Sequence, residues 1–436
     1  MHSIKFTVIA GLLALALVVR PAIGADWQEQ IEQLTEDALP QVIDNRHWFH
    51  AHPELGNREF NTARKIVNEL NRLGFDDIQQ GVAHTGVVAV LKGGMKGPPV
   101  ALRADMDGLP VSEKTGLPFA SKVTTLWQGT ETGVMHACGH DAHMAILLGV
   151  AEVLSAMKAR IPGNVKFIFQ PAEEGPPPGE EGGAQLMIKE GVLSGQYAPG
   201  AIFGLHVFPG PTGAIMYKSD GFMAAADFLE IEVIGKQAHG SMPWGGVDPI
   251  TAAAQVINAL QTVVSRQLDI SQAPAVVTIG SIQGGNRGNI IPEKVKLTGT
   301  IRTLDPEMRK QVQVMIKQTV EQAAKSMGAK ALVSIDLGYP VTFNDAELTQ
   351  VMSPVLQRTA LDGAALVVKP YMGAEDFSFY ANEIPGLFFA LGVAHDDPSV
   401  PVATNHSPYF YVNDRALPIG IKALSNLAME WLHAAH

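Results

Sequence analysis

Within residues 226–337 the sequence changes rhythm, and that change constrains the fold more than any other feature. Residues 227–234 alternate as a strand, residues 249–268 read as an amphipathic helix, and residues 275–282 and 293–303 read as strands. A second helix over 306–327 opens with Asp305 as its cap and Pro306 at its first position, and a strand over 331–337 follows. The resulting β-α-β-β-α-β order is that of a ferredoxin-like unit. On the N-terminal side, apolar runs at 87–91, 100–103, 165–169 and 201–206 alternate with helical patterns, as in an α/β sheet layered by helices. After Tyr339-Pro340 the α/β style returns. The expected fold class is therefore α/β: a discontinuous main domain with a mixed sheet, residues 25–219 and 339–436, interrupted by an inserted unit at 220–338.

The chain opens with Lys5, an uncharged apolar run of about 14 residues, and Ala22-Ile23-Gly24 ahead of Ala25. A run that short falls below the roughly 20 residues that cross a bilayer, so residues 1–24 are expected to be a cleaved signal peptide and the protein periplasmic or secreted. Cys138 is the single cysteine of 436 residues, so no internal disulfide can staple the fold. The net charge is −11 with acidic and basic residues interspersed, which argues against nucleic acid as a partner.

That lone cysteine stands in Ala137-Cys138-Gly139-His140-Asp141-Ala142-His143. A thiolate and an imidazole suit zinc and its neighbours. An isolated Cys-Gly-His is more simply a buried structural cysteine beside a core histidine. The flanking His136, Asp141 and His143, the later His206 and His406, and the pair Glu173-Glu174 reverse that preference. Adjacent glutamates in a turning backbone diverge, so one can coordinate a metal while the other moves protons. The alternative for the pair is a solvated acidic turn, but it follows the core-like run Phe167-Ile168-Phe169. Read from residues alone, the chain is a metal-dependent hydrolase. A periplasmic solute-binding protein without catalysis and a cysteine hydrolase using Cys138 with His140 or His136 are the alternatives.

With these segments in view, the chain resembles the M20 metallopeptidase family, in its amidohydrolase branch of hippurate hydrolases, indole-acetyl-amino-acid hydrolases and carboxypeptidase-like enzymes. The matching segments include Asp105-Met106-Asp107, residues 135–143, 170–174 and 204–206, Asn289-Ile290-Ile291-Pro292, residues 299–303 and 373–377, and His406-Ser407-Pro408. The resemblance implies hydrolysis of the amide bond of N-acyl-amino acids or small peptides with a free carboxylate. It implies two divalent metal ions, zinc or manganese with cobalt or nickel also compatible, held by Cys138, His140, Glu174, His206 and His406, with Glu173 as general base. Asp105 stands where many relatives carry a histidine ligand, and Cys138 compensates. Asp107 and Asp141 are either groups that orient the ligands or plain structural residues.

In the inserted unit the resemblance makes His239 an oxyanion-stabilising residue, often acting in a partner's site, and the unit itself a lid and dimerisation domain. It assigns Asn289 and Arg302 to substrate binding; read alone, Arg302 is a solvent-facing strand residue. Glu375 and Asp376 either line the cleft or cap a helix before Phe377. The histidine-rich segment at 46–55 is read as structure, and the loop at 175–183 as shaping the cleft mouth.

Overall fold

The computed structural model describes residues 25–434 apart from residue 398. The expected signal peptide lies outside the described residues. No helix among them is long and apolar enough to cross a membrane.

An eight-stranded mixed sheet forms the centre. Its spatial order is Ile78–Val82, Gly86–Lys92, Pro162–Gln170, Met95–Asp105, Ile202–Phe208, Gly386–Gly392, Ile215–Tyr217, Ala365–Val367. Four central strands run parallel: Pro162–Gln170, Met95–Asp105, Ile202–Phe208 and Gly386–Gly392. Their continuous apolar runs are buried on both faces, as parallel strands covered by helices require. The helix His140–Ala156 is buried at nearly every position, because it packs against both Ala25–Ala51 and Leu417–Ala434 as well as the sheet. Its approach is close enough that a Cβ on Gly149 would come within 2.6 Å of Ile421 and 2.9 Å of Val42. Phe167, Phe203 and Phe389 are fully buried in this core, each contributing about 1.5–3 kcal/mol by removal from water.

The second sheet has four antiparallel strands in the order Ala275–Gly284, Lys294–Thr303, Ala225–Ile234, Lys330–Leu337. In chain order this is 2-3-1-4, with the helices Pro249–Thr262 and Pro306–Ser326 supplying a separate core around Val256, Leu297 and Ile316. It is the ferredoxin-like arrangement. Asp305 caps its helix as the sequence suggests, accepting from Met308 N–H, and Asp248 likewise accepts from Ile250 N–H. One boundary differs from expectation. Asp220–Met223 pairs with Thr342–Asn344 across the junction, so the inserted sheet itself starts at Ala225.

Parallel strands that end at one edge deliver their following loops to one place. Asp105 and Asp107, then Glu173 and Glu174, and His206 all lie at or near the carboxyl ends of three neighbouring strands.

Candidate metal centre

Gly139 joins the two halves of the Cys-Gly-His segment. It caps the helix His140–Ala156 at φ 93°, a left-handed conformation, and a Cβ there would sit 2.2 Å from Val207. Only glycine fits, and it turns Cys138 and His140 toward the same space. The glutamates stand on a tight turn with Ala172 at φ 52° and Gly175 at φ 104°. Buried carboxylates hold this turn by its amides. Glu59 accepts from Ala172 N–H at 2.9 Å, and the two oxygens of Asp107 accept from Glu173 and Glu174 N–H at 3.0 Å each. His406, at φ 68°, is tied to the cysteine segment by its N–H donating to Ala137 O at 2.8 Å.

The ligand atoms of Cys138, His140 and His206 lie within 4.8 Å of one another, and so do those of Cys138, Glu174 and His406. Cys138 Sγ belongs to both groups, 3.3 Å from His206 Nε2 and 3.3 Å from His406 Nε2. Glu174 Oε1 is 2.9 Å from His406 Nε2. Glu173 and Glu174 form a further group with His140, whose Nε2 is 3.9 Å from Glu173 Oε2.

The second ring nitrogens fix which atoms face the centre. His206 Nδ1 donates to Val207 O at 2.8 Å, and His140 Nδ1 faces Asp107 Oδ1 at 3.2 Å, which leaves both Nε2 atoms turned inward. His140 Nε2 is buried with no hydrogen-bond partner. Burial, then the charges of Glu174 and Glu173, push the Cys138 thiol well up. Burial, then Glu375, Glu174 and Asp376, push the Glu173 carboxyl well up. A buried thiol crowded by carboxylates, beside an unpartnered imidazole nitrogen, is a donor set with a deficit of positive charge. Divalent cations fit it, and they would reverse these pKa pushes.

Two neighbouring groups are satisfied from within. His143 donates from Nδ1 to Asp105 Oδ1 at 2.6 Å and accepts Val207 N–H at Nε2 at 2.8 Å, so it has no lone pair left for a metal. Glu375 and Asp376 pair with the fully buried Arg103 at 2.9 and 2.7 Å, and Arg103 also pairs with Asp105 at 2.8 Å. Gln170 donates to both oxygens of Asp376, whose own N–H reaches Glu173 Oε1 at 3.4 Å. The Glu-Asp pair thus neither lines the cleft freely nor merely caps a helix; it braces the Glu173 carboxylate.

Asp141 has a different task from orienting a ligand. Arg46 Nε and His50 Nδ1 bond its Oδ2 at 3.0 and 2.8 Å, and His50 Nε2 faces Glu113 at 3.0 Å. The helix start turns Asp141 away from His140, toward the N-terminal helix. The histidines at 46–55 disperse onto Asp414, Asp141 and the Trp48 carbonyl.

A cavity of about 660 Å³ opens over the centre, lined by Cys138, Glu174, His206 and His406 together with Arg302 and Tyr339. Gly175 and Pro176 at the start of the 175–183 loop also line it, and Arg58 grips that loop at Glu180. Arg302 is half-buried, its pKa lowered by burial against the pull of Asp227, and it has no hydrogen-bond or ion-pair partner among the described residues. His239 and Asn289 do not line this cavity. They lie on the exposed ribbon Ala238–His239 and Ile290–Ile291, where Ser241 N–H donates to His239 Nδ1 at 3.1 Å. Sequence reasoning missed Arg103, Glu59 and Asn405, the last donating to Cys138 O at 3.2 Å and Val207 O at 3.1 Å. Its place beside His406 was the available signal.

The family model described as peptidase family M20/M25/M40 matches residues 101–430. The N-acetyl-L-cysteine deacetylase of Bacillus subtilis is 38% identical over 378 residues, 86% of this chain and 85% of its own. Thermostable carboxypeptidase 1 of Saccharolobus solfataricus is 36% identical over 410 residues, 93% of this chain and 99% of its own. Among solved structures, the Bacillus subtilis YXEP protein, a dinuclear metal binding peptidase from the M20 family, superposes with a TM-score of 0.77 at 34% identity, over 91% of this chain and 99% of its own.

Proposed function

This chain belongs to peptidase family M20/M25/M40 and is a hydrolase of amide bonds; from that premise we propose that it cleaves N-acyl-amino acids or small peptides with a free carboxylate, using two divalent metal ions and Glu173 as general base. The observation that carries this reading is the sharing of Cys138 Sγ by two ligand groups in one cavity with an unpartnered Arg302.

Cys138, His140 and His206 would hold one ion, and Cys138, Glu174 and His406 the other; zinc or manganese suits these donors, with cobalt or nickel as alternatives. When bound, such ions polarise a scissile carbonyl and acidify a water. The protein's own groups do the rest. Arg302 offers a planar fork to the substrate carboxylate, which sets the amide over the centre. Glu173 takes the proton of the attacking water and returns it to the departing amine. Asp376 N–H, at 3.4 Å, steadies that carboxylate. His239 is proposed to stabilise the developing oxyanion from a partner subunit in a homodimer formed through the inserted unit, with Asn289 beside it binding substrate, since neither residue lines the cavity of its own chain. A monomeric mass at working concentration counts against that arrangement. The N-terminal segment supports export to the periplasm or beyond, and a mature chain starting near Ala25 is its signature.

The test is amino-acid release from a panel of N-acyl-amino acids and dipeptides, with metal analysis of the same sample. Metal-dependent release is expected. Saturable binding with no product contradicts the proposal.

A further inference from the structure

The peptide that joins Glu173 to Glu174 carries the proposed base on one side and a proposed ligand on the other. If it rotates, both carboxylates swing. It is held at both of its polar atoms: Asp107 Oδ2 accepts the Glu174 N–H at 3.0 Å, and the Tyr339 hydroxyl donates to the Glu173 carbonyl at 2.5 Å. The amide anchors of this turn come from Glu59 and Asp107, both inside the main α/β body. Among the described residues, Tyr339 alone reaches it from the segment where the chain leaves the four-stranded unit.

That segment is braced. Ala226 N–H donates to Tyr339 O at 2.9 Å, so the entering and leaving strands are bonded at the crossing. Asp227, 1% exposed, takes two bonds from Arg309, at 3.0 and 2.5 Å, and one from Gly338 N–H at 3.2 Å, while Arg309 also donates to Gly338 O at 3.1 Å. A Cβ on Gly338 would stand 2.3 Å from Ala226 O, so only glycine permits the strands to approach this closely. The Tyr339 ring rests edge-on against Phe379, with centroids 6.0 Å apart. A continuous path of short polar contacts therefore runs from the Asp227–Arg309 clamp through Gly338 and Tyr339 to the Glu173 carbonyl.

We infer that Tyr339 is a positioning residue: its hydroxyl fixes the Glu173–Glu174 peptide to the junction of the two units, so that the pose of the base depends on the Asp227–Arg309 clamp. The inference rests on Glu173 being the base. A misplacement of about 1 Å at a reacting group can cost up to about a hundredfold in rate.

The experiment is a double-mutant cycle on the metal-loaded enzyme. Tyr339→Phe keeps the ring and its contact with Phe379 but removes the donor. It should lower kcat about tenfold or more while KM stays within about threefold, with metal content unchanged. Asp227→Asn should lower kcat by a smaller factor, and adding it to Tyr339→Phe should cause no further loss of kcat, because both reach Glu173 through one path; KM is read separately, since Asp227 also acts on Arg302. Should Asp227→Asn fold poorly, Arg309→Lys replaces it. Normal kcat in Tyr339→Phe, or effects that multiply, overturns the inference. Glu173→Gln runs alongside: persistent turnover in that variant removes the base assignment itself, whereas a dead Glu173→Gln beside an unaffected Tyr339→Phe removes only the role given to Tyr339.

Discussion

His140 and Asp141 are neighbours at the start of one helix, both fully buried, and they serve opposite kinds of charge cluster. On the Asp141 side, Arg46 and His50 balance Asp141 and Glu113 through contacts of 2.8–3.0 Å, with Arg46 Nη2 and Asp141 Oδ1 left without a hydrogen-bond partner. On the His140 side, the thiol, two glutamates and three imidazoles face one another with an inward nitrogen left over and no lysine or arginine among them. A structural polar cluster and a candidate metal centre differ in how their charges are met. The first balances its own charges with Arg46 and His50 against Asp141 and Glu113, while the second is proposed to balance only when cations enter.

Removing one member from each cluster separates the two. Cys138→Ala should cost metal and nearly all turnover, about a thousandfold or more, with metal-to-protein ratio and kcat as the readouts. Asp141→Asn should spare the metal ratio of the folded protein and lower stability by about 3–5 kcal/mol, as expected when one partner of a buried pair is removed. Equal metal loss in both variants would erase the distinction. Glu173→Gln separates binding from chemistry within the His140 side: kcat should fall by about 10²–10⁴-fold with metal retained. Arg302→Met should act more gently, raising KM about tenfold or more for substrates with a free carboxylate and little for their amides.

The smallest expected effect concerns pH on the Asp141 side. Burial opposes the charge of His50, but Asp141 and Glu113 outweigh it and push its pKa up to about 9. Unfolded, the group titrates near 6.5, so its stabilisation is complete below that pH and is lost as pH rises through about 9. Melting temperature should therefore decline from pH 7 to 9.5, and His50→Gln should flatten the decline. A wild-type curve that is flat over that interval contradicts the assignment.

Much of this architecture was legible because it is written in local patterns. The strands at 87–91, 165–169 and 275–282 appear within a few residues of the expected bounds, and the ferredoxin-like order follows from alternation and the cap at Asp305. The proposed ligand residues could be singled out because each sits in a short motif at a strand end, a helix start or a loop. What escaped is non-local. Arg103 meets Asp376 across 273 positions and Tyr339 meets Glu173 across 166, pairings that no periodicity encodes. Asp141 stayed open between orienting a ligand and a structural role for a related reason: its partners Arg46 and His50 are distant in sequence, and the first turn of a helix sends consecutive side chains in different directions. Glu375 and Asp376 were ambiguous until Arg103 was seen buried between them.

The central claim is that Cys138 Sγ is the common ligand of a two-ion centre. Anomalous diffraction at the metal edge from crystals of the loaded protein tests it directly. The account predicts two peaks flanking Sγ, one toward His140 and His206 and one toward Glu174 and His406. A single peak away from the sulfur, or metal bound elsewhere with the thiol free, would contradict it.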